Sequence, residues 1–242
     1  MHAVLRSLWP PSDDRHGPLV PVMIVLTVVT GVVDATSYLK LGHVFVANMT
    51  GNVVFLGFAL AGAHGLSASS SLIALGSFLL GASAGGRFRA RYPDHRGHML
   101  RTASIAQAML LAIALIAALV LTKPTSTPAS YALLVPMAVA MGIQNAAAQL
   151  LAVPELTTTV LTRTLTGIAS DLALLGHGHE TAAMFARRVV AVMAMLLGAL
   201  VGGLLVLHVT VAAAVALAAA IVFAVGVFVH LLSRADAPWV KT

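Results

Sequence analysis

Asp34, Arg163 and Asp171 are ionisable residues set inside long apolar runs, and clusters of amides and hydroxyls stand near them. Asn48, Thr50 and Asn52 form one cluster, Thr162, Thr164 and Thr166 a second, and Gln144, Asn145 and Gln149 a third. Groups of these types can pair with one another, hold backbone polar groups, or line a path for a polar solute. They are poorly suited to breaking covalent bonds: no Ser/His/Asp set and no acidic pair on one face accompanies them, and a lone Asp34 does not make a general base, so the chain is not expected to be an enzyme. A metal or other cofactor is not expected either. There is no cysteine, and the ten histidines show neither H-x-x-x-H nor H-E-x-x-H spacing.

The elements that position these residues must lie in a bilayer. Of the 242 residues, 59% are hydrophobic and only 9% charged, too little polar surface to cover a water-soluble globule. Apolar runs of roughly 20 residues, the length that spans ~30 Å of hydrocarbon, recur from Pro18 to Leu232. They fall at about 18–39, 43–63, 69–86, 102–121, 130–152 and 157–176, and the run 189–232 is long enough for two helices turning near His208 to Thr210. Residues 1–17 read as a retained tail, since Asp13 and Asp14 stand there and no A-x-A site follows, and residues 233–242 as a second tail around a single membrane domain, 18–232. The formal charge of +6 comes from basic residues in short connections, a pattern of membrane topology and not of nucleic-acid binding.

Counting every apolar run as a crossing gives eight helices, with seven Lys/Arg on the side of the tails and six on the other. If 43–63 and 157–176 instead enter and return to the same side, six crossings remain. Eleven Lys/Arg then share the side of the tails, against Lys40 and Lys123 opposite. The positive-inside rule favours the second count, with both termini cytoplasmic. The expected fold is therefore all-α and integral to the membrane, with six transmembrane helices plus two re-entrant or broken segments, eight full crossings being the alternative.

The chain also reads as built twice, over about 18–122 and 130–232. Gly31-x-x-Asp34-Ala35 matches Gly142-x-x-Asn145-Ala146, Thr50-Gly51 matches Thr166-Gly167, and Gly81-Ala82-x-x-Gly85-Gly86 matches Gly198-Ala199-x-x-Gly202-Gly203, at offsets of 111, 116 and 117 residues. A unit with three crossings reverses direction, so its copy is inserted upside down and the broken segments meet near the midplane, as in many transporters. The Gly81 and Gly85 spacing allows close helix approach, within the bundle or at a seam between two copies.

A charge at membrane depth must face protein, water or a counter-charge. An Arg163 to Asp34 pair across the repeat interface meets that need, either as a structural lock or in a substrate or proton role. For Asn48, Thr50, Asn52 and the threonines around Thr166, two readings stand: side chains that cap a half-helix, or a pathway lining. Gln144, Asn145 and Gln149 are interhelical glue or ligand contacts.

The segments GVVDATSYLKLGHVFVANMTGNVVFLG (31–57) and MGIQNAAAQLLAVPELTTTVLTRTLTG (141–167) resemble the YoaK-like family of bacterial polytopic membrane proteins, a domain of unknown function, over about Pro18 to Leu232. The resemblance implies a multi-pass protein of the bacterial inner membrane and brings no substrate or catalytic residue with it. The expected function is a small-solute transporter or permease. Its pathway residues would be Asp34, Asn48, Thr50, Asn52, Asn145, Arg163, Thr166 and Asp171, and its partners the lipid bilayer and a small solute, with a second copy in a homodimer left open. The alternative is a non-transporting scaffold or lipid-interacting protein. A cavity touching both polar stretches would separate the two.

Overall fold

The computed structural model describes residues 8–11, 14, 16–121, 127–154, 161–173, 179–233 and 238–240. Arg6, Arg15, Lys123, Arg234 and Lys241, used above in weighing topology, lie outside them. Among the described residues the chain forms eight α-helices: α1 (Leu19–Lys40), α2 (Met49–Leu60), α3 (Ala68–Arg91), α4 (Arg96–Val120), α5 (Thr127–Leu151), α6 (Leu161–Ala173), α7 (His179–His208) and α8 (Val211–Leu232). A short 3-10 turn, Pro238–Val240, follows. Six of the helices, α1, α3, α4, α5, α7 and α8, are long and apolar enough to cross a bilayer. The helix α2 is shorter, at 12 residues, and the described part of α6 covers 13.

Two boundaries follow from local chemistry. The long apolar run breaks where the sequence places the turn: Thr210 precedes α8 and its hydroxyl accepts from Ala213 N at 3.0 Å, satisfying a first-turn donor. The stretch Arg87 to Arg101, expected as a basic loop, is mostly helical. Arg87, Arg89 and Arg91 end α3, Arg96 and Arg101 begin α4, and only residues 92–95 connect them. Arg96 is buried and donates to Leu151 O, occupying one of the carbonyls that the end of α5 leaves without an intrahelical partner.

The bundle is centred on α1 and α5. Of their spanning windows 72% is buried, against about a third or less in the other four. Each central helix has a parallel companion from far along the chain, and the approach is close because glycine stands at the crossings. Gly31 of α1 lies on the backbone of Met195, Gly198 and Ala199 in α7, while Gly198 and Gly202 lie on Val28 and Val32. On the other side, Gly142 of α5 lies on Phe78, Gly81 and Ala82 of α3, while Gly81 and Gly85 lie on Val139 and Ile143. A Cβ at any of these glycines would overlap backbone atoms or press on them. With lipid outside, dispersion between closely approaching backbones replaces the hydrophobic drive of a soluble core. The Gly81 and Gly85 pair thus serves packing inside the chain.

Both ends of the bundle can be read from contacts. Gly17 and Gly97 both lie beside Trp239, and Gly97 also meets Ser233, so the chain just before α1, the chain just after α8 and the α3–α4 connection share one end. At the other end Gly42, just past α1, lies beside Ser70 at the start of α3, and Ser69 Oγ is 3.0 Å from the Tyr131 hydroxyl near the start of α5.

Candidate functional site

The site begins where α1 stops. Gly42 and His43 take positive φ of 103° and 56°, a left-handed turn that glycine adopts without strain, and the chain then runs without regular structure to Asn48, where α2 begins. Backbone donors in such a segment have no helical partner, and inside a membrane protein they must find one. Asp34 supplies it. Its Oδ1 accepts from Val46 N and Ala47 N, both at 2.9 Å, and its Oδ2 accepts from Asn48 Nδ2. Asn52, fully buried, reaches back from α2: its Oδ1 accepts from Phe45 N at 2.8 Å and its Nδ2 donates to Phe45 O at 2.6 Å. Tyr38, Phe45 and Phe55 stack over the outer part of the turn, with centroids 5.2 Å apart for Tyr38 and Phe45 and 5.8 Å for Phe45 and Phe55.

Below this clamp lies a cavity of about 740 Å³, within the size range of small-molecule sites. Its walls come from four helices. Asn48, Met49 and Thr50 open α2, Leu161 and Thr162 open α6, Phe78, Ala82 and Gly86 come from α3, and Asn145, Ala146, Gln149 and Leu150 from α5. The cavity therefore touches both polar stretches. Apart from Phe78, near the middle of α3, its α3 and α5 walls belong to the second halves of those helices. The N-terminus of α2 borders it, so backbone N–H groups there add donors to the amides and hydroxyls of the lining.

The expected residues divide among different surroundings. Asn48, Thr50 and Asn145 line the cavity, and Asn145 Nδ2 also donates to Met141 O at 2.9 Å. Asp34 and Asn52 do not line it; their polar atoms are taken up by the 45–48 segment. Arg163 is exposed on α6 whereas Asp34 is buried and holds backbone amides, so the two do not pair across the bundle. The physical reason is proximity: three donors from the next fourteen residues reach Asp34 first. Asn48 sits at the N-cap position of α2 but its side chain makes no cap bond, being turned to Asp34. Thr166 is exposed and its hydroxyl returns to Thr162 O at 3.0 Å, a bond within the helix. Asp171 falls in α6 with its side chain outside the described residues, as are residues 155–160 of the second polar stretch.

The bundle centre holds a polar chain that composition alone did not single out. Gln107 Nε2 donates to Gln144 Oε1 at 2.6 Å, and Gln144 Nε2 donates to Thr30 Oγ1 at 2.9 Å, tying α4, α5 and α1 together beneath apolar neighbours. Gln144 is thus interhelical glue. The missing partner was Gln107, a single amide in an Ala/Leu-rich run, and the only available signal was its isolation there.

A family model described as "Protein of unknown function (DUF1275)" matches residues 22–228. The chain is 32% identical over 153 residues to the UPF0700 transmembrane protein YoaK of Bacillus subtilis (strain 168). That match takes in 63% of this chain and 66% of the relative, just under two thirds of its length. No solved structure matches.

Proposed function

The chain belongs to the DUF1275 family, whose function is unknown, and from that premise we propose that it is a small-solute transporter or permease whose pathway runs through the cavity between the two polar stretches. The observation that carries the reading is the cavity itself, bordered by Asn48 and Thr50 on one side, Thr162 on the other, and Asn145 and Gln149 between. A scaffold has no need of amide-lined space at membrane depth. No described lining residue carries a charge, which favours an uncharged or zwitterionic polar solute over an ion.

In this reading the protein is an inverted-topology repeat of the inner membrane, with both termini cytoplasmic and with α2 and α6 as re-entrant half-helices. The glycine contacts support it, because they are the same contacts with the halves exchanged. Gly31 on Met195, Gly198 and Ala199 becomes Gly142 on Phe78, Gly81 and Ala82, and Gly198 on Val28 becomes Gly81 on Val139. The re-entrant assignment is supported by Gly42 beside Ser70: the chain leaves α1 and enters α3 at one end of the bundle. The end shared by the chain just before α1, the chain just after α8 and the basic α3–α4 connection supports the orientation.

The test is flux. Gly86 borders the cavity and has nothing within 4 Å of its Cβ position, so a side chain can start there without meeting backbone, and Gly86→Phe is chosen to fill the space. Purified protein in liposomes is assayed with a panel of labelled polyols and neutral amino acids. Uptake above empty liposomes, lost in Gly86→Phe at an unchanged unfolding temperature, is the expected result. Uptake equal in both proteins, or no uptake of any member of the panel, overturns the reading.

A further inference from the structure

Sharing no lining residue with the polar cavity, α4 and α8 leave a second hollow of about 600 Å³ that opens on the outer surface of the bundle. Its walls are almost wholly apolar: Ile105, Met109 and Ala112 of α4 face Ala220, Phe223 and Val227 of α8. In a bilayer such a groove takes up hydrocarbon. What distinguishes it from ordinary lipid-facing surface is its end. His230 lines it there, and Arg101, one turn before Ser104 of the same lining, places Nη1 at 3.1 Å from His230 Nδ1. Arginine only donates, so the imidazole nitrogen accepts and the guanidinium is held beside the groove mouth. No acidic side chain among the described residues pairs with Arg101, and its Nε is buried without a hydrogen-bond partner. Arg101 lies five residues into α4, about 7.5 Å along the helix axis from Arg96 at the end of a membrane-length helix.

We propose that this groove is a binding site for one anionic phospholipid, with an acyl chain between α4 and α8 and the phosphate on Arg101. The charge favours an anionic headgroup because a zwitterionic one brings its own ammonium to the same place. The inference is independent of the transport reading, since it uses neither the polar cavity nor the helices α2 and α6. Its bland counterpart is that Arg101 only fixes orientation, in company with Arg87 and Arg91 at the same end.

The experiment uses the full chain in nanodiscs of phosphatidylglycerol and phosphatidylcholine at equal content, followed by native mass spectrometry of retained lipid. A single retained phosphatidylglycerol, preferred about fivefold over phosphatidylcholine, is expected for the natural protein. Arg101→Gln should abolish the preference. Ala220→Phe, which fills the groove at an exposed position, should remove the retained lipid while leaving Arg101 in place. The double variant Arg87→Gln, Arg91→Gln should behave as the natural protein. Absence of preference in the natural protein, preference surviving in Arg101→Gln, or loss on changing Arg87 and Arg91 alone each overturns the proposal. Unfolding temperatures of all variants, measured in the same discs, separate loss of lipid from loss of fold.

Discussion

Replacing Asp34 by Ala removes the acceptor for three donors at once: Val46 N, Ala47 N and Asn48 Nδ2. Asn48 borders the polar cavity and can turn its amide toward it, whereas Val46 is buried at 0% exposure and Ala47, which also meets the cavity wall, at 2%. Two buried N–H groups left without partners cost about 1–3 kcal/mol each, so the 45–48 segment should lose about 2–6 kcal/mol of local stability. Even the lower figure corresponds to roughly 30-fold faster opening, at about 1.4 kcal/mol per factor of ten. Asp34→Asn is far milder. Its Oδ1 still accepts from both backbone amides and Asn48 flips to offer its own oxygen, so about 1–2 kcal/mol is lost with the charge-assisted character of the bonds. Hydrogen exchange by mass spectrometry in detergent reads this directly: peptides over 44–48 should exchange faster in Asp34→Ala, slightly faster in Asp34→Asn, and those at the α1–α7 crossing as before. Unchanged exchange over 44–48 in Asp34→Ala would refute the clamp and leave the segment held by Asn52 and the stacked rings alone.

Gly31→Leu and Gly142→Leu should each lower the unfolding temperature strongly, because the side chain meets backbone and cannot be accommodated by rotation; overpacking of this kind costs about 1–3 kcal/mol or more. Gly76→Ala, with open space at its Cβ, should be neutral or stabilise α3 by up to about 1 kcal/mol in the same melting assay. Gln144→Leu should cost only about 1 kcal/mol, since hydrogen bonds between membrane helices average near 0.6 kcal/mol, and a double-mutant cycle with Gln107→Leu should recover most of it. His95 supplies a pH effect at the start of α4, where its Nδ1 accepts from His98 N at 3.0 Å and so requires a neutral ring. Burial, and then the charges of His98 and Arg101, hold its pKa below the usual histidine value. Protonation therefore favours the unfolded turn: the cap is intact above about pH 6.5 and is lost as the pH falls through the lowered value. Protection at His98 N, taken relative to the intrinsic exchange rate at each pH, should fall on acidification in the natural protein and stay constant in His95→Asn.

The six membrane-length helices were legible because each is a run of apolar residues closed by charge, proline or a capping threonine, and the break before Thr210 could be placed from length alone. Gly81 and Gly85 were legible as a site of close approach, and Gly31, Gly142 and Gly198 only as repeated positions, with no sign of which helices would meet. The interior of the site was less readable. Asp34 and Arg163 invite pairing by sign, yet the partners of Asp34 are backbone amides, which every residue carries and no letter marks. Asn48 looked like a cap because it precedes a helix; its side chain was claimed by the carboxyl group fourteen residues earlier. The basic stretch misled for a related reason: arginines have good helix propensity and extend α3 and α4 nearly to meeting, so charge there did not mean loop.

The crossing of α1 with α7 bears on how the chain is made. Gly31 meets Gly198, 167 positions later, which at about 5–20 residues per second is a delay of roughly 10–30 seconds during synthesis. Through that interval α1 must reside in or beside the insertion machinery with its companion unmade. Its hydroxyls are equipped for the wait: Thr27, Thr30 and Thr36 each donate to the carbonyl four residues back, at 2.8, 3.0 and 2.7 Å, so α1 shows lipid few unpaired donors. Asp34 finds its amides within the next fourteen residues, well before α7 emerges.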